Sequence, residues 1–241
     1  MFKRLIAASA LFTLAIAPNT AFAQDTDVAE EAETAAAPLV RKVYEPINYN
    51  VEEDRENILV LDLSNGKRVQ IRLMQQWAPA HAERIKILAR RGFYDGIVFH
   101  RVIDGFMAQT GDPTGTGQGG SELPDLPAEF NPMPHIRGTL SMARSQTEDS
   151  ANSQFFINFY PRFSLDKRYT NFGRVIRGMD GVDAIVRGEP PQNPTRILQA
   201  SIAADNKPVP VPAPPAAPAP SAEITADMLS GPSGPSGPSG E

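Results

Sequence analysis

Short apolar runs separated by turn signals recur along the central part of the chain and predict β-strands. Residues 97–103 alternate between two faces and turn back at Asp104-Gly105, which predicts a hairpin. Residues 58–63 and 69–73 predict another hairpin, because Asn65-Gly66 between them is a strong tight-turn signal. Further short strands are predicted at 138–142, 154–158, 172–175 and 197–203.

Two segments instead keep the spacing of an amphipathic helix. The first begins at Pro79 and ends before Gly92. Its predicted inner face carries Ala82, Ile85, Leu88 and Ala89. The second covers residues 179–186. Many strands with only two helices predict a mainly β protein, and this pattern alone leaves a sandwich and a barrel open.

The N-terminus has the layout of a cleavable export signal. Lys3 and Arg4 precede an apolar run over residues 5–17, and Ala21-Phe22-Ala23 fits the small-residue cleavage rule. Residues 1–23 are therefore predicted to be a signal peptide, with no membrane span left after cleavage. We expect a protein of the bacterial periplasm, and a eukaryotic secretory lumen is the alternative.

Composition divides the rest of the chain into three parts. Residues 24–56 are an acidic, alanine-rich spacer, and residues 57–205 hold the predicted elements of one folded domain. Residues 206–241 are rich in proline and alanine and end in three G-P-S repeats. Such a tail buries too little apolar surface to offset its ordering entropy, so we predict that it is disordered.

Charge and residue usage argue against several function classes. A net charge of −5 and the lack of any basic stripe argue against nucleic acid as a partner. Cysteine is absent, which excludes disulfides and thiolate chemistry. His81, His100 and His135 lack the spacing of metal ligands, so no metal site is predicted. His100 is expected to be a hydrogen-bonded core residue.

A glycine-rich segment formally matches a nucleotide-binding fingerprint through Gly115, Gly117 and Gly120. That fingerprint needs a helix directly after the glycines, because the helix presents its first amides to phosphate. Pro124 and Pro127 follow instead, which argues against a helix there. We predict a loop, and no dinucleotide is implied.

One arginine lies among apolar residues and an amide in the hairpin predicted at Asp104-Gly105. The run F-H-R-V-I-D-G-F-M-A-Q places Arg101 across the turn from Gln109. Further on, S-Q-F-F-I-N contains Gln154 and Phe156, which are two apart and therefore share one strand face. An isolated strand arginine is usually salt-bridged scaffolding, but this ordered set favours a functional role for Arg101.

These two runs resemble the proline pocket of the cyclophilin-type peptidyl-prolyl isomerases, in which the same residue types occur in the same order. The resemblance covers residues 57–205 and implies a closed eight-stranded antiparallel β-barrel capped by two α-helices. It implies an enzyme that accelerates rotation about X-Pro bonds and needs no cofactor. The implied partners are unfolded or proline-containing polypeptides. We expect a monomer that assists the folding of exported proteins.

The resemblance also assigns roles to individual residues. It implies that Arg101 and Gln109 are catalytic. It implies that the substrate is bound by Phe106, Met107, Ala143, Arg144, Gln154, Phe156, Leu165 and Tyr169.

Two positions depart from the best-known eukaryotic members of that family. Ser164 stands where they have tryptophan, and Tyr169 stands where they have histidine. Tyrosine can still close the pocket and donate a hydrogen bond. The tryptophan matters for tight cyclosporin binding, so cyclosporin sensitivity is left open, with Phe163 as a candidate substitute.

Two other functions stay open on the sequence. The same barrel could be a non-catalytic peptide-binding module or chaperone that keeps the pocket for grip alone. The chain could also be a structural, surface-associated protein in which the tails matter most. The ordered set around Arg101 favours the enzyme over both.

Overall fold

The computed structural model describes residues 43–44 and 46–210 of the chain. The predicted signal peptide, most of the predicted spacer and residues 211–241 of the predicted tail lie outside these described residues. Within the described part, no helix has the length and apolarity of a membrane-spanning segment.

The described residues form eight strands and two α-helices, connected by loops and single-turn 3-10 helices. The strands are β1 (Ile58–Leu63), β2 (Arg68–Leu73), β3 (Arg101–Ile103), β4 (Met107–Thr110), β5 (Thr139–Met142), β6 (Phe155–Asn158), β7 (Asn171–Arg177) and β8 (Ile197–Ile202). The helices are α1 (Pro79–Arg90) and α2 (Met179–Asp183). Each element overlaps the segment predicted for it, and α2 is shorter than the predicted 179–186.

All eight described strands belong to one antiparallel sheet, in the order β3-β4-β6-β5-β7-β2-β1-β8. The prediction of a mainly β fold with eight antiparallel strands and two helices is confirmed. The sheet curls into a half-barrel, and the continuous closure that the resemblance implied is not seen. The end strands β3 and β8 do not form a ladder; isolated bridges at Val98–Arg196 and Val102–Gly188 link the two ends instead.

The two predicted hairpins form at the predicted turns. Gly66 has φ +80° and Gly105 has φ +66°, which are left-handed conformations that favour glycine. In the second hairpin Arg101 pairs with Gln109, so the two side chains lie on the same face of the sheet.

One large apolar cluster joins the sheet to α1. The residues predicted for the inner face of this helix are all buried in that cluster: Ala82, Ile85, Leu88 and Ala89. Pro79 lies in the first turn of α1, and Gly92 follows its end with φ +70°. The helix therefore begins and ends where proline and glycine predict, and the packing of its apolar face holds it on the sheet.

A buried arginine attaches the segment before β1 to the face of the sheet opposite the main core. Arg72 is 2% exposed, and its guanidinium donates to the backbone carbonyls of Asn50 and Asp54 and to the Asp54 carboxylate, at 2.7–2.9 Å. Burial lowers the pKa of Arg72, and the charge of Asp54 opposes that shift. The neighbouring Val51 is buried in a second, smaller apolar cluster. Packed structure thus begins several residues before residue 57.

We expect Ile85→Ala to lower the free energy of unfolding by about 2–4 kcal/mol, because it leaves a cavity between α1 and the sheet. Urea unfolding followed by circular dichroism measures the change. Arg91→Ala at the exposed end of the same helix is the control and should stay within about 0.5 kcal/mol of the parent. Equal losses in both variants would contradict the assigned packing.

Candidate active site

Three neighbouring strands carry most of the key predicted residues on one face. Arg101 in β3 pairs with Gln109 in β4, and Gln109 pairs with Phe156 in β6. Directly opposed residues of antiparallel strands point to the same face of the sheet. Strand register alone therefore collects these three side chains at one place, and Met107 joins them because it lies two residues from Gln109.

These side chains open onto a cavity of about 250 Å³. The cavity is lined by Arg101, Phe106, Met107, Gln109, Ala143, Arg144, Phe156, Leu165 and Tyr169. Met107 and Phe156 are buried beneath it, whereas the Arg101 side chain remains 43% exposed at its rim. Every residue for which the resemblance implied a role lies in this lining except Gln154.

Ring contacts shape the walls of the cavity. Phe156 and Tyr169 meet edge to face, with 5.7 Å between their ring centroids. The guanidinium of Arg144 lies 4.8 Å from the centre of the Tyr169 ring, and that of Arg162 lies 4.9 Å from the centre of the Phe106 ring. Tyr169 therefore closes one side of the cavity by ring packing.

A line of hydrogen bonds runs from Arg101 away from the cavity. The Nε of Arg101 donates to Glu189 at 2.9 Å, and its Nη1 reaches the Gln109 side-chain oxygen at 3.5 Å. The amide of Gln109 donates to Gln154 at 2.9 Å. Gln154 in turn donates to two carbonyls of the glycine-rich loop, at 2.7 and 3.1 Å. Gln154 thus lies beside the first cavity and contacts it through Gln109.

A second, larger cavity of about 500 Å³ adjoins the first. The two share Gln109, Ala143 and Arg144. The remaining lining of the second cavity is polar or glycine: Gly117, Gln118, Gly119, Gly120, Ser121, Asp125, Ser145, Ser150, Asn152 and Gln154. An extended chain that leaves the first cavity past Ala143 would enter this polar one.

A buried aspartate organises the glycine-rich loop. Asp112 accepts hydrogen bonds from the amide and hydroxyl of Thr114, at 2.7 and 2.8 Å, and from the amide of Gly117 at 2.6 Å. Burial alone would raise the pKa of Asp112. The hydrogen bonds from Thr114, Gly119 and Gly117 outweigh burial and lower that pKa to about 2. The sequence analysis missed this residue, although an aspartate before Pro-Thr-Gly is a common turn signal.

His100 differs from its prediction. It is buried, but neither ring nitrogen has a hydrogen-bond partner among the described residues. Gly117 of the glycine-rich loop lies against the ring, and a Cβ added there would be 3.7 Å from it. Burial lowers the pKa of His100 and Arg101 lowers it further, whereas Asp112 opposes the shift.

The candidate substitute for the family's tryptophan lies outside the cavity. Phe163 and Ser164 belong to a single-turn 3-10 helix, Phe163–Leu165, that follows β6. Phe163 is 64% exposed, and of these three residues only Leu165 lines the cavity. Phe163 does not line the cavity, so the structure gives no support to its role as a substitute for the tryptophan.

The cavity and the sheet that carries it can be compared with known proteins. A family model described as cyclophilin type peptidyl-prolyl cis-trans isomerase/CLD matches residues 58–202, which span all the described strands and both helices. The chain belongs to this family of isomerases.

Two bacterial relatives carry the corresponding activity in their names. A probable peptidyl-prolyl cis-trans isomerase of Brucella suis is 44% identical over 189 residues, which cover 72% of this chain and 96% of the relative. Peptidyl-prolyl cis-trans isomerase B of Bacillus subtilis is 39% identical over 128 residues, 53% of this chain and 89% of the relative. The enzymatic activity of this chain is accordingly peptidyl-prolyl cis-trans isomerisation.

Solved structures agree on the fold. The cyclophilin AquaCyp293 from Hirschia baltica matches with a TM-score of 0.59 and 26% identity, over 68% of this chain and 83% of that one. A Cryptosporidium parvum cyclophilin-type isomerase, crystallised in the presence of the dipeptide Ala-Pro, matches with a TM-score of 0.57 and 28% identity. That match covers 60% of this chain and 98% of the other.

We expect Asp112→Asn to lower the free energy of unfolding at pH 7 by roughly 1–2 kcal/mol, because the loop loses its charged acceptor. The folded pKa of about 2 lies below the ordinary value of 3.8. The contribution is therefore complete above about pH 4 and declines as the pH falls toward 2.

Urea unfolding from pH 7 down to pH 2.5 tests this expectation, with the exposed Asp104→Asn as control. The gap between the parent and Asp112→Asn should shrink on acidification. A gap that is absent at pH 7, or that does not change with pH, would show that the lowered pKa does not stabilise the loop.

Proposed function

We propose that Arg101 and Gln109 catalyse the isomerisation and that the cavity of about 250 Å³ receives the prolyl ring. One observation carries this proposal. The register of β3, β4 and β6 sets a guanidinium at the rim of a cavity whose buried floor is Met107 and Phe156. We propose further that the polypeptides on which the enzyme acts are exported proteins.

Rotation about an X-Pro bond is slow because amide resonance opposes it with a barrier of about 18–20 kcal/mol. Lowering that barrier needs no bond to the enzyme. The twisted amide must be favoured over the planar one, and the prolyl nitrogen regains a localised lone pair as the bond twists. A donor placed at this nitrogen therefore stabilises the transition state more than the ground state.

Arg101 is placed to be that donor. Its Nε and Nη1 are engaged by Glu189 and Gln109, and its Nη2 makes no hydrogen bond with any described residue. The free Nη2 can therefore donate to the prolyl nitrogen or to the neighbouring carbonyl. A charge-assisted bond beside the buried Phe156 and Met107 is worth more than the same bond in water, because the apolar floor excludes solvent.

The two adjoining cavities suggest how the substrate chain would bind. The prolyl ring lies against Phe106, Phe156 and Leu165 in the first cavity, which removes its apolar surface from water. The residues before the proline continue past Ala143 and Arg144 into the polar cavity. Binding at both sites holds the ends of the X-Pro bond while it rotates.

The main alternative to this mechanism is a site that binds proline-containing chains without catalysing isomerisation. It would use the same cavity, and Arg101 would serve as an anchor for the substrate carbonyl. The hydrogen-bonded placement of Arg101 beside Gln109 favours catalysis, because an anchor does not require a second polar side chain held next to it.

We expect Arg101→Ala to lower kcat/KM for a proline-containing tetrapeptide roughly 100-fold, since one transition-state donor is lost. Arg101→Lys should recover part of the activity, because it keeps the charge but loses the planar fork. Arg177→Ala replaces an exposed arginine in β7 and should behave as the parent.

Unfolding midpoints of all three variants establish that the fold persists. Equal activity of Arg101→Ala and the parent would refute the catalytic role of Arg101. If Arg101→Ala keeps its kcat and loses only peptide affinity, the result would favour the binding-only alternative.

Closure of the barrel is also part of the proposal. Backbone hydrogen bonds from Phe99 to Thr195 and from Ile197 to Ile97, each 2.9 Å, supplement the isolated bridges between the two ends of the sheet. We infer that these contacts keep the ends together as a closed barrel and that the enzyme acts as a monomer.

The proposal of export rests on the first residues of the chain. We expect the protein, expressed from its own first methionine in a Gram-negative bacterium, to accumulate in the periplasm with Gln24 as its first residue. Mass spectrometry of the periplasmic fraction identifies the N-terminus. Ala23→Phe should leave the precursor uncleaved, because the cleavage rule needs a small residue there. An intact precursor confined to the cytoplasm in the parent would contradict export.

A further inference from the structure

The catalytic arginine has an acidic neighbour that lies far away in the sequence. The Nε of Arg101 donates to the Oε2 of Glu189 at 2.9 Å, and 88 residues separate the two. Glu189 belongs to the loop between α2 and β8 and does not line either cavity. Its side chain is half exposed, so it contacts Arg101 from the outer side of the rim.

The backbone places Glu189 there. Val102 and Gly188 form an antiparallel bridge, with hydrogen bonds of 2.8 and 2.9 Å between their amides and carbonyls. Arg101 and Glu189 are the chain neighbours of these two bridged residues, so the bridge brings them close to each other. Gly188 has φ +145°, and a Cβ added to it would meet Pro191 at 2.6 Å, so the bend before Glu189 requires glycine.

We propose that Glu189 is a positioning residue of the isomerase, which holds the guanidinium of Arg101 in the orientation that acts on the X-Pro bond. This inference rests on the catalytic role of Arg101 proposed above. Glu189 accepts from the Nε and Gln109 lies at Nη1, so contacts at two different nitrogens fix the plane of the guanidinium. The remaining nitrogen, Nη2, has no hydrogen-bond partner among the described residues and is left for the substrate.

Without such a partner a half-exposed arginine samples many rotamers. Fixing a long side chain in one rotamer costs conformational entropy, and in the absence of Glu189 that cost falls on the catalytic step. Glu189 orders the Arg101 side chain already in the free enzyme, so part of this entropy is lost before the substrate binds. Its loss should therefore reduce kcat, whereas KM should change little because Glu189 does not line the substrate cavities.

A second ion pair between the same two segments supplies a matched control. Arg187 in the loop contacts Asp104 in the β3–β4 turn at 3.3 Å. It joins the loop to the hairpin but does not touch Arg101. If Glu189 only held the loop against the hairpin, removal of Glu189 or of Asp104 would have the same effect on the rate.

The test is a double-mutant cycle with Glu189→Gln, Arg101→Ala and the combined variant, with Asp104→Asn as control. Exchange NMR of an uncharged peptide with one Ala-Pro bond measures kcat and KM separately. We expect Glu189→Gln to lower kcat about threefold to fivefold, the scale of an exposed ion pair. Glu189→Asp should recover part of that loss, and Asp104→Asn should match the parent.

In the Arg101→Ala background Glu189→Gln should have no further effect, because its effect passes through the missing side chain. The ¹⁵N-bound Nε proton of Arg101 should exchange faster with solvent in Glu189→Gln than in the parent. A further threefold to fivefold loss in the combined variant would overturn the inference while leaving Arg101 catalytic. A change in KM alone, or an equal loss in Asp104→Asn, would also overturn it. Full activity of Arg101→Ala would instead refute the proposed function itself.

Discussion

The pairing of three strands is the constraint on which the rest of the site depends. Because Gln109 lies opposite both Arg101 and Phe156, the polar rim and the apolar floor of the cavity are parts of one ladder. A shift of one residue between β4 and either neighbour would turn Gln109 to the other face of the sheet. The turn at Gly105 and the buried neighbours Ala108 and Ile157 hold the register against such a shift.

Local signals carried most of the fold prediction. Asn65-Gly66 and Asp104-Gly105 fix hairpins through backbone conformations that few residues other than glycine adopt. Pro79 and Gly92 delimit α1 for a similarly local reason. The same hairpin logic placed Arg101 next to Gln109, because the two are joined by a single tight turn. The meeting of these residues with Phe156, Leu165 and Tyr169 was reached only through the resemblance to a family.

Features that depend on distant parts of the chain were not predicted. Glu189 reaches Arg101 through a bridge between two segments whose sequences show no mutual signal. The ring of His100 has no hydrogen-bond partner among the described residues, and the sequence of its predicted strand carries no signal of this. The ends of the sheet meet through isolated bridges rather than a ladder, so strand patterns alone could not decide whether the barrel closes.

The attachment of residues 50–54 to Arg72 sets a limit on how far the protein can be shortened from its N-terminal side. Proteolysis that removed Asn50 to Asp54 would leave the buried guanidinium without these acceptors, at a penalty of several kcal/mol. The residues just ahead of the first strand are therefore part of the folded enzyme, and any shortened form has to retain them.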